Sequence, residues 1–281
     1  MTKYQLPLFE DKLILPTNKY HISFSEISDH MACSYRHKLK YIDKIVLEDG
    51  SIHTAFGGAV HDSIENFLIN KCDLNPENTI KDFKNRLKDL SKPVEPDIVN
   101  EFCEQIPDIL LQLPNFLNET FPEYKVIGAE LLLFENVKGQ LGINFKGYID
   151  AILKIKKKRG KGFEYILLDW KSCGWGWKPE QKQSYEKQLQ LMLYKYFFCE
   201  LMNIPHTDVK CGFVLLKRTA PKKRKHLDRL EFVPVSVGPK SIEKALDTLN
   251  DTINKIRKGY ATKNRMSCEP FCTYYGTNFC K

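Results

Sequence analysis

The clearest pattern of apolar and polar residues lies near the middle of the chain. Residues 165–168 are aromatic and aliphatic, which is typical of a short buried strand, and they lead into Asp169, Trp170 and Lys171. Because side chains alternate along a strand, Asp169 and Lys171 are predicted to share one face, while Trp170 points to the other. The preceding predicted strand carries an acid, Asp150, in an otherwise apolar segment. A hairpin of these two strands would bring two carboxylates and one ammonium group together.

The remaining periodicity predicts an α/β (α+β) fold with a central mixed sheet flanked by helices. Helical spacing covers residues 23–41, 56–68, 182–202 and 241–258, and strand patterns cover 126–134, 141–155, 163–171, 209–216 and 230–236. Residues 1–22 are expected to be an irregular lead before one domain over 23–281. Prolines interrupt the helical stretches between about 75 and 122, which predicts a helical insertion there.

Two carboxylates held close together are costly without a cation. Asp150 and Asp169 therefore predict a divalent metal ion, which leaves Lys171 to face a substrate anion. A plainer interpretation stays open, because an ion pair at a strand end is more often structural than catalytic. In the same way, a lone His61 on an apolar helix is more often a satisfied core or surface histidine than a metal ligand.

Length and composition describe a globular chain of 281 residues, 42% of them hydrophobic, which suffices for one large domain or two small ones. No apolar run reaches about 18 residues and no secretory signal is visible, so we expect a cytoplasmic protein with no membrane partner. The net charge of +8 fits a polyanion partner. The positive charge is clustered in two predicted turns, at Lys154, Lys156, Lys157, Lys158, Arg159 and Lys161, and at Lys217, Arg218, Lys222, Lys223, Arg224 and Lys225.

The nine cysteines fall into two groups. Cys199 and Cys211 lie in apolar contexts, where a small buried hydrophobic residue is the expected role. Cys268, Cys272 and Cys280 are instead crowded into the last 14 residues. Three thiols in so short a tail predict a metal site that takes its fourth ligand from elsewhere.

Several motifs occur in a recognisable order. They are His61 in Gly57-Gly58-Ala59-Val60-His61, Asp150 in Gly147-Tyr148-Ile149-Asp150, Asp169-Trp170-Lys171, and Gln190-Leu191-Met192-Leu193-Tyr194. From Ser23 to Cys280 the chain resembles the RecB-type branch of the PD-(D/E)XK nucleases, which have a restriction-endonuclease-like core. The opening helix with Cys33 is similar to that of the iron-sulfur members, among them AddB-type nucleases and the CRISPR-associated RecB-like exonucleases.

The resemblance implies specific roles. His61, Asp150, Asp169 and the carbonyl of Trp170 would bind Mg²⁺ or Mn²⁺. Lys171 would position the attacking water or stabilise the transition state, and Gln190 and Tyr194 would line the same cleft. Glu130 is a supplementary metal or supporting residue. Cys33, Cys268, Cys272 and Cys280 would hold a 4Fe-4S cluster, with zinc as the alternative occupant.

The implied function is a metal-dependent deoxyribonuclease, an exonuclease acting on single-stranded DNA or DNA ends. Such domains serve recombination, repair, phage DNA metabolism or CRISPR spacer acquisition, and a phage-encoded copy would work in the host cytoplasm. No Walker motif is present, so the sequence shows no helicase motor of its own. We expect either a free-standing nuclease or a subunit of something larger, with a helicase or another recombination or CRISPR protein as its partner. Trp175, Trp177 and Tyr185 beside the basic turns offer stacking surfaces for single strands. The competing interpretations are a DNA-binding or adaptor protein with a nuclease-like fold and a zinc-stabilised interaction domain.

Overall fold

The structure is a computed structural model that describes residues 14–47, 50–158, 160–219, 228–268 and 272–281. The α-helices are α1 (Phe24–Ala32), α2 (Ser34–His37), α3 (Ile52–Asn70), α4 (Pro76–Leu87), α5 (Pro96–Leu110), α6 (Leu113–Thr120), α7 (Pro179–Gln183), α8 (Tyr185–Met202) and α9 (Pro239–Arg257). A π-helix, Lys38–Ile42, continues α2. The strands are β1 (His21–Ser23), β2 (Lys125–Asn136), β3 (Asn144–Lys156), β4 (Phe163–Cys173), β5 (Val209–Lys217) and β6 (Leu230–Val235).

Within the described ranges the strands form one six-stranded mixed sheet in the order β1-β3-β4-β5-β6, and β2 also pairs with β3. The β1–β3 and β4–β5 pairs are parallel, whereas β3–β4 and β5–β6 are antiparallel. The predicted α/β class, with helices flanking a mixed sheet, is confirmed. No helix in the part of the chain that the structure describes is both long and apolar enough to pass through a lipid bilayer.

The chain divides into two compact units. The first comprises residues 1–47, 133–147 and 243–281, and the second comprises 48–132 and 148–242. The first unit contains β1, α1, α2 and most of α9, together with the cysteine-rich tail. The second contains α3 to α8, β4, β5, β6 and much of β2 and β3.

The core of the second unit explains the apolar runs of its central strands. β4 and β5 are paired on both edges, and their residues 166–170 and 211–216 are buried. Strands that are covered on both faces have nearly continuous apolar sequences. Helix α8 packs on β4 and β5 and is buried from Leu189 to Cys199. Strands β3 and β5 and helix α8 thus surround β4, which carries the motif Asp169-Trp170-Lys171.

The opening helix differs from the single helix predicted for residues 23–41. Cys33 has extended backbone angles, φ −162° and ψ 108°, so α1 ends before it and α2 begins after it. The Ser34 hydroxyl accepts a hydrogen bond from the Thr262 amide at 2.7 Å, which fixes the break against the tail. The helical pattern of residues 23–41 could not predict this hydrogen bond, because its donor, Thr262, is remote along the chain.

The helix predicted for residues 182–202 also differs. It begins earlier, at Pro179, and is interrupted at Ser184, whose extended backbone separates α7 from α8. Proline is well suited to the first turn of a helix, because the N–H groups of that turn have no acceptor within the helix and the lack of one costs nothing. The strand boundaries lie within about three residues of the predicted ones, a normal difference for element ends.

Candidate active site

Asp150 on β3 and Asp169 on β4 lie just beyond the point where the backbone pairing of these two strands ends. The antiparallel register of β3 and β4 runs from Lys156–Phe163 to Ala151–Leu168. One step further, the carboxylate of Asp150 accepts a hydrogen bond from the backbone amide of Trp170 at 2.7 Å. The Asp150 side chain thus accepts the hydrogen bond of a backbone N–H group that would otherwise pair with the backbone of a neighbouring strand. Asp150 is fixed against the very strand that carries Asp169.

Asp169 and Lys171 share one face of β4, as the alternation predicted. Lys171 Nζ lies 2.5 Å from Asp169 Oδ2; the aspartate side chain is 1% exposed and the lysine side chain 33%. The contact is an ion pair without a well-aligned hydrogen bond, since Asp169 Oδ2 makes none. Burial acts to lower the pKa of Lys171, but the carboxylates of Asp169 and Asp150 outweigh it and raise this pKa above its usual value. Lys171 is therefore an ammonium group at neutral pH.

Helix α8 supplies a second support for this lysine. Lys171 Nζ donates to Gln190 Oε1 at 3.1 Å, and Gln190 Nε2 donates to Tyr194 Oη at 3.1 Å. Tyr194 also accepts from the backbone of Tyr148. Gln190 and Tyr194 lie one helical turn apart, so both side chains reach the same side of α8. The chain of contacts from Asp169 to Tyr194 orients the ammonium group from two directions.

Helix α3 brings His61 to the same place. Its Nδ1 lies 3.8 Å from Asp150 Oδ2, and its imidazole hydrogen-bonds the backbone of Trp170. Burial lowers the pKa of His61, so the ring is neutral and able to act as a ligand. Gly57, one turn earlier, allows close packing, because a Cβ there would lie 3.4 Å from Ser172 Oγ on β4. The structure thus brings together His61, Asp150, Asp169, Trp170, Lys171, Gln190 and Tyr194.

The site carries more negative charge than its lysine offsets. Burial raises the pKa of Asp150 well above its usual range, and the charge of Asp169 raises it further. Glu130 on β2 has φ +48°, a left-handed conformation that is unusual inside a strand. Burial raises the pKa of Glu130 as well, followed by the charges of Glu65, Asp62 and Asp169. The arrangement lacks positive charge, which a divalent cation would supply.

The comparisons with known proteins agree with this geometry. The family model of the PD-(D/E)XK nuclease superfamily matches residues 21–277. The chain belongs to the PD-(D/E)XK nuclease superfamily. No curated protein is significantly similar to the chain in sequence. Members of this superfamily are typically metal-dependent nucleases acting on DNA, and the mixed sheet flanked by helices is consistent with their fold.

Magnesium or manganese, the ions generally used in this nuclease superfamily, suits the donors of the site. Two carboxylates, a backbone carbonyl and a neutral imidazole are hard or borderline ligands. Asp169 Oδ2 is buried without an aligned hydrogen bond, so it has a lone pair available. In the described ranges, no three His, Cys, Asp or Glu side chains already stand in a preformed metal-binding group. The donors therefore fit the ion in type, and binding would draw them closer.

The four cysteines of the predicted second site all belong to the first unit. Cys33, Cys268 and Cys280 are buried and Cys272 is partly buried, and all four are free thiols. Burial raises the pKa of Cys268, and negative charge on Cys272, Cys280 and Cys33 raises it further, which places the four sulfur atoms within electrostatic range. The Asn264 amide donates to Cys33 Sγ at 3.3 Å, and Arg265 Nη1 to Cys280 Sγ at 3.9 Å. Such donors stabilise thiolates.

The structure describes only part of each basic cluster. In the first, Lys156 is paired with Glu123 and Lys157 with Asp208, each at 2.6 Å. Of the second, Lys217 and Arg218 are described, whereas Lys222, Lys223, Arg224 and Lys225 lie outside the described residues, as does Arg159. The Lys156–Glu123 pair is exposed, and an exposed pair is worth little, so Lys156 remains available to an anionic partner.

Sequence reasoning missed two features of the site. One is the backbone amide of Trp170 as a partner of Asp150, which depends on where the strand register stops. The other is the backbone of Tyr148 as a partner of Tyr194. A backbone group carries no signal in the sequence of side chains, so no motif could have revealed either contact.

Proposed function

We propose that this PD-(D/E)XK nuclease is an exodeoxyribonuclease of the RecB-like, iron-sulfur branch that acts on single-stranded DNA or DNA ends. The observation that carries the proposal is the convergence of Asp150, Asp169 and Lys171 at the point where β3 and β4 stop pairing. The order of the motifs, which resembles that of the RecB-like exonucleases, supports the choice of branch.

Asp150, Asp169, His61 and the Trp170 carbonyl would hold the Mg²⁺ or Mn²⁺ ion. When bound, that ion supplies an activated water and neutralises charge on the phosphate. The two acids suit this role because they lie together in a buried region. Without a cation, burial and the charge of Asp169 raise the pKa of Asp150 well above its usual range, and a bound cation would offset both effects. The neutral ring of His61 adds a ligand without adding positive charge.

Lys171 acts on the substrate in this proposal. Its raised pKa keeps it protonated, so it donates hydrogen bonds and does not accept a proton as a general base. A compact ammonium group suits a non-bridging phosphate oxygen, where negative charge increases in the transition state. Asp169 and Gln190 hold two sides of this group and leave its exposed side for the phosphate.

Gln190 and Tyr194 are positioning residues. Gln190 accepts from Lys171 through Oε1, and its amide nitrogen is held by Tyr194. This second contact fixes which way the carboxamide faces, so an oxygen and not an NH₂ group meets the ammonium. Both side chains are less than one-tenth exposed, so neither is expected to contact DNA bases.

We propose further that Cys33, Cys268, Cys272 and Cys280 hold a 4Fe-4S cluster. Three of these thiols are buried, and all lie within electrostatic range of Cys268. Within the described residues the four are free thiols that do not form a preformed metal-binding group, so binding of the cluster would draw them together and deprotonate them. The extended backbone at Cys33 interrupts the helix at the residue that would have to reach the tail. Zinc bound by the same four cysteines is the alternative outcome.

DNA is the proposed substrate, and the net charge of +8 suits binding to its backbone. Lys156 and Lys158 are exposed at the tip of the β3–β4 hairpin, at the end of the two strands that is remote from Asp150 and Asp169. Binding through such residues should weaken with salt, because counterions are released from the phosphates. Recombination, repair, phage DNA metabolism and CRISPR spacer acquisition are settings that need such an enzyme, with a helicase or similar partner supplying unwound strands.

One experiment tests the proposed reaction class. Single- and double-stranded DNA labelled at one end is incubated with the protein and MgCl₂ or MnCl₂, and product lengths are followed in time. An exonuclease releases short products from the first time points and leaves a closed circular single strand intact. Cutting of the circle at the rate of the linear strand would show an endonuclease. A protein that binds DNA and cuts neither would support the adaptor interpretation instead.

A further inference from the structure

A short loop follows the catalytic strand directly. Residues 174–178 connect the end of β4 to α7, and Trp175 comes four positions after Lys171. Four residues span at most about 14 Å even when fully extended. Whatever the loop presents is therefore within one or two nucleotides of the ammonium group that would contact the phosphate.

The loop is held in a defined shape. The Gly174 carbonyl accepts two hydrogen bonds from Thr219, from its amide at 3.0 Å and its hydroxyl at 2.7 Å. The Cys173 carbonyl accepts from the Arg218 amide at 2.9 Å. Gly176 has φ +100°, a conformation that a residue with a side chain rarely adopts. These hydrogen bonds tie the start of the loop, just before Trp175, to residues 218 and 219.

The two tryptophans of the loop have different environments. Trp177 packs edge-on against Phe213, with ring centres 5.0 Å apart, and Lys187 Nζ lies 4.7 Å above it. Phe213 is buried and its ring centre lies 6.0 Å from Lys171 Nζ, so Trp177 anchors the loop beside the active site. Trp175 is instead 70% exposed. The loop therefore packs one indole, partly buried, against Phe213 and exposes the other.

We infer that Trp175 stacks on an unpaired base of the DNA strand next to the phosphate that is cleaved. The inference rests on the proposed function and specifies the form of DNA that the site selects. An indole offers a flat apolar face, and every base has a complementary face, so stacking tolerates any sequence. In a duplex those faces are covered by neighbouring bases. Trp175 would consequently favour single strands or frayed ends over paired DNA.

Binding without cleavage isolates this contribution. Affinity for a labelled single-stranded oligonucleotide and for a closed circular duplex, which has neither ends nor unpaired loops, is measured in a chelator, with wild type, Trp175→Ala, Trp175→Phe and Tyr260→Ala. Trp175→Ala should bind the single strand about tenfold more weakly. The duplex affinity should not change. Trp175→Phe should recover most of the loss, and Tyr260→Ala, which removes an aromatic side chain that is 52% exposed, should bind like wild type.

Salt provides a second readout. Stacking releases no counterions, so Trp175→Ala should lower single-strand affinity at every salt concentration with the same slope as wild type. Equal single-strand affinity of wild type and Trp175→Ala would overturn the inference, and so would an equal loss on the duplex. If the wild type cleaves DNA while either result holds, only the stacking role is wrong. If the wild type neither binds nor cleaves DNA, the proposed function fails with it.

Discussion

The backbone amide of Trp170 donates a 2.7 Å hydrogen bond to the carboxylate of Asp150, at the first position where β3 and β4 no longer pair through their backbones. The same carboxylate is therefore a structural acceptor, and it also lies 3.8 Å from His61 Nδ1 as a candidate metal ligand. The two roles can be separated by substitution, because asparagine keeps an acceptor oxygen and alanine does not.

Asp150→Asn should fold well and lose cleavage, whereas Asp150→Ala should lose cleavage and also stability. The alanine leaves the Trp170 amide without its acceptor, which costs about 1–3 kcal/mol in the free energy of unfolding. Thermal unfolding in a chelator, combined with a cleavage assay, checks both effects. An Asp150→Asn protein that cuts DNA like the wild type would contradict the role of the acid.

The raised pKa of Asp150 also predicts a dependence on pH. An acid whose pKa is higher in the folded state contributes stability when it is protonated, and this contribution is lost as pH rises through the folded-state value. In a chelator, wild type should therefore gain stability relative to Asp150→Asn as pH falls from neutral toward the usual aspartate range. Melting curves of both proteins at a series of pH values test this, and parallel curves would argue against a strained carboxylate.

Lys171 and Asp169 should be strongly coupled in stability. Lys171→Met leaves the buried carboxylate of Asp169 without its ion-pair partner, at a cost on the order of 3 kcal/mol. Adding Asp169→Asn removes that unpaired charge, so the double variant should be more stable than Lys171→Met alone. Chemical unfolding of the two single variants and the double variant measures the coupling. Additive losses would mean that the 2.5 Å pair carries no net interaction.

Tyr194→Phe should slow cleavage and leave DNA affinity unchanged. It removes the acceptor that orients the Gln190 carboxamide, so Lys171 loses one of its two supports. A loss of one hydrogen bond predicts a kcat about 5- to 10-fold lower. Tyr196→Phe, on the same helix, is the matched control and should cleave normally. Weaker DNA binding with normal kcat would place Tyr194 in contact with the substrate instead.

The cysteine site makes a prediction that is independent of hydrolysis. Protein purified without oxygen should be brown and contain about four irons per chain. Cys33→Ser should lose the colour, the iron and much of the thermal stability, because binding of the cluster is coupled to folding. Cys199→Ser is the control, since burial raises the pKa of this thiol to about 11 and it has no part in the site. A colourless protein that contains one zinc ion per chain would show that zinc occupies the four-cysteine site in place of the cluster.

The fold could be predicted from the sequence to the extent that its elements are periodic. The buried run before Asp169 and the apolar segment around Asp150 predict the β3–β4 hairpin, because both strands lie in the middle of the sheet. The break at Cys33 could not be predicted, since a hydrogen bond between Ser34 and Thr262 stabilises it across most of the chain. The short strand β1 was missed because three residues carry no period.

For the site, the motifs gave the side chains but not the connections between them. Nothing in the sequence indicates that Gln190 accepts from Lys171 while Tyr194 holds its other end, because the contacts join β4 to α8. The unusual φ of Glu130 is equally hidden, since a glutamate in a strand pattern predicts an ordinary extended residue. Electrostatic properties that depend on several elements become visible only when those elements are assembled.

The most direct test of the account is cleavage of end-labelled single-stranded DNA by wild type and by Asp169→Asn, with MgCl₂, with MnCl₂ and with a chelator. Both proteins are first compared by circular dichroism, so that loss of folding is distinguished from loss of chemistry. A metal-dependent site predicts cleavage by wild type with either ion, none in the chelator and none by a folded Asp169→Asn. Cleavage in the chelator, or a folded Asp169→Asn that cuts at the rate of wild type, would contradict a metal-dependent site at Asp150, Asp169 and Lys171.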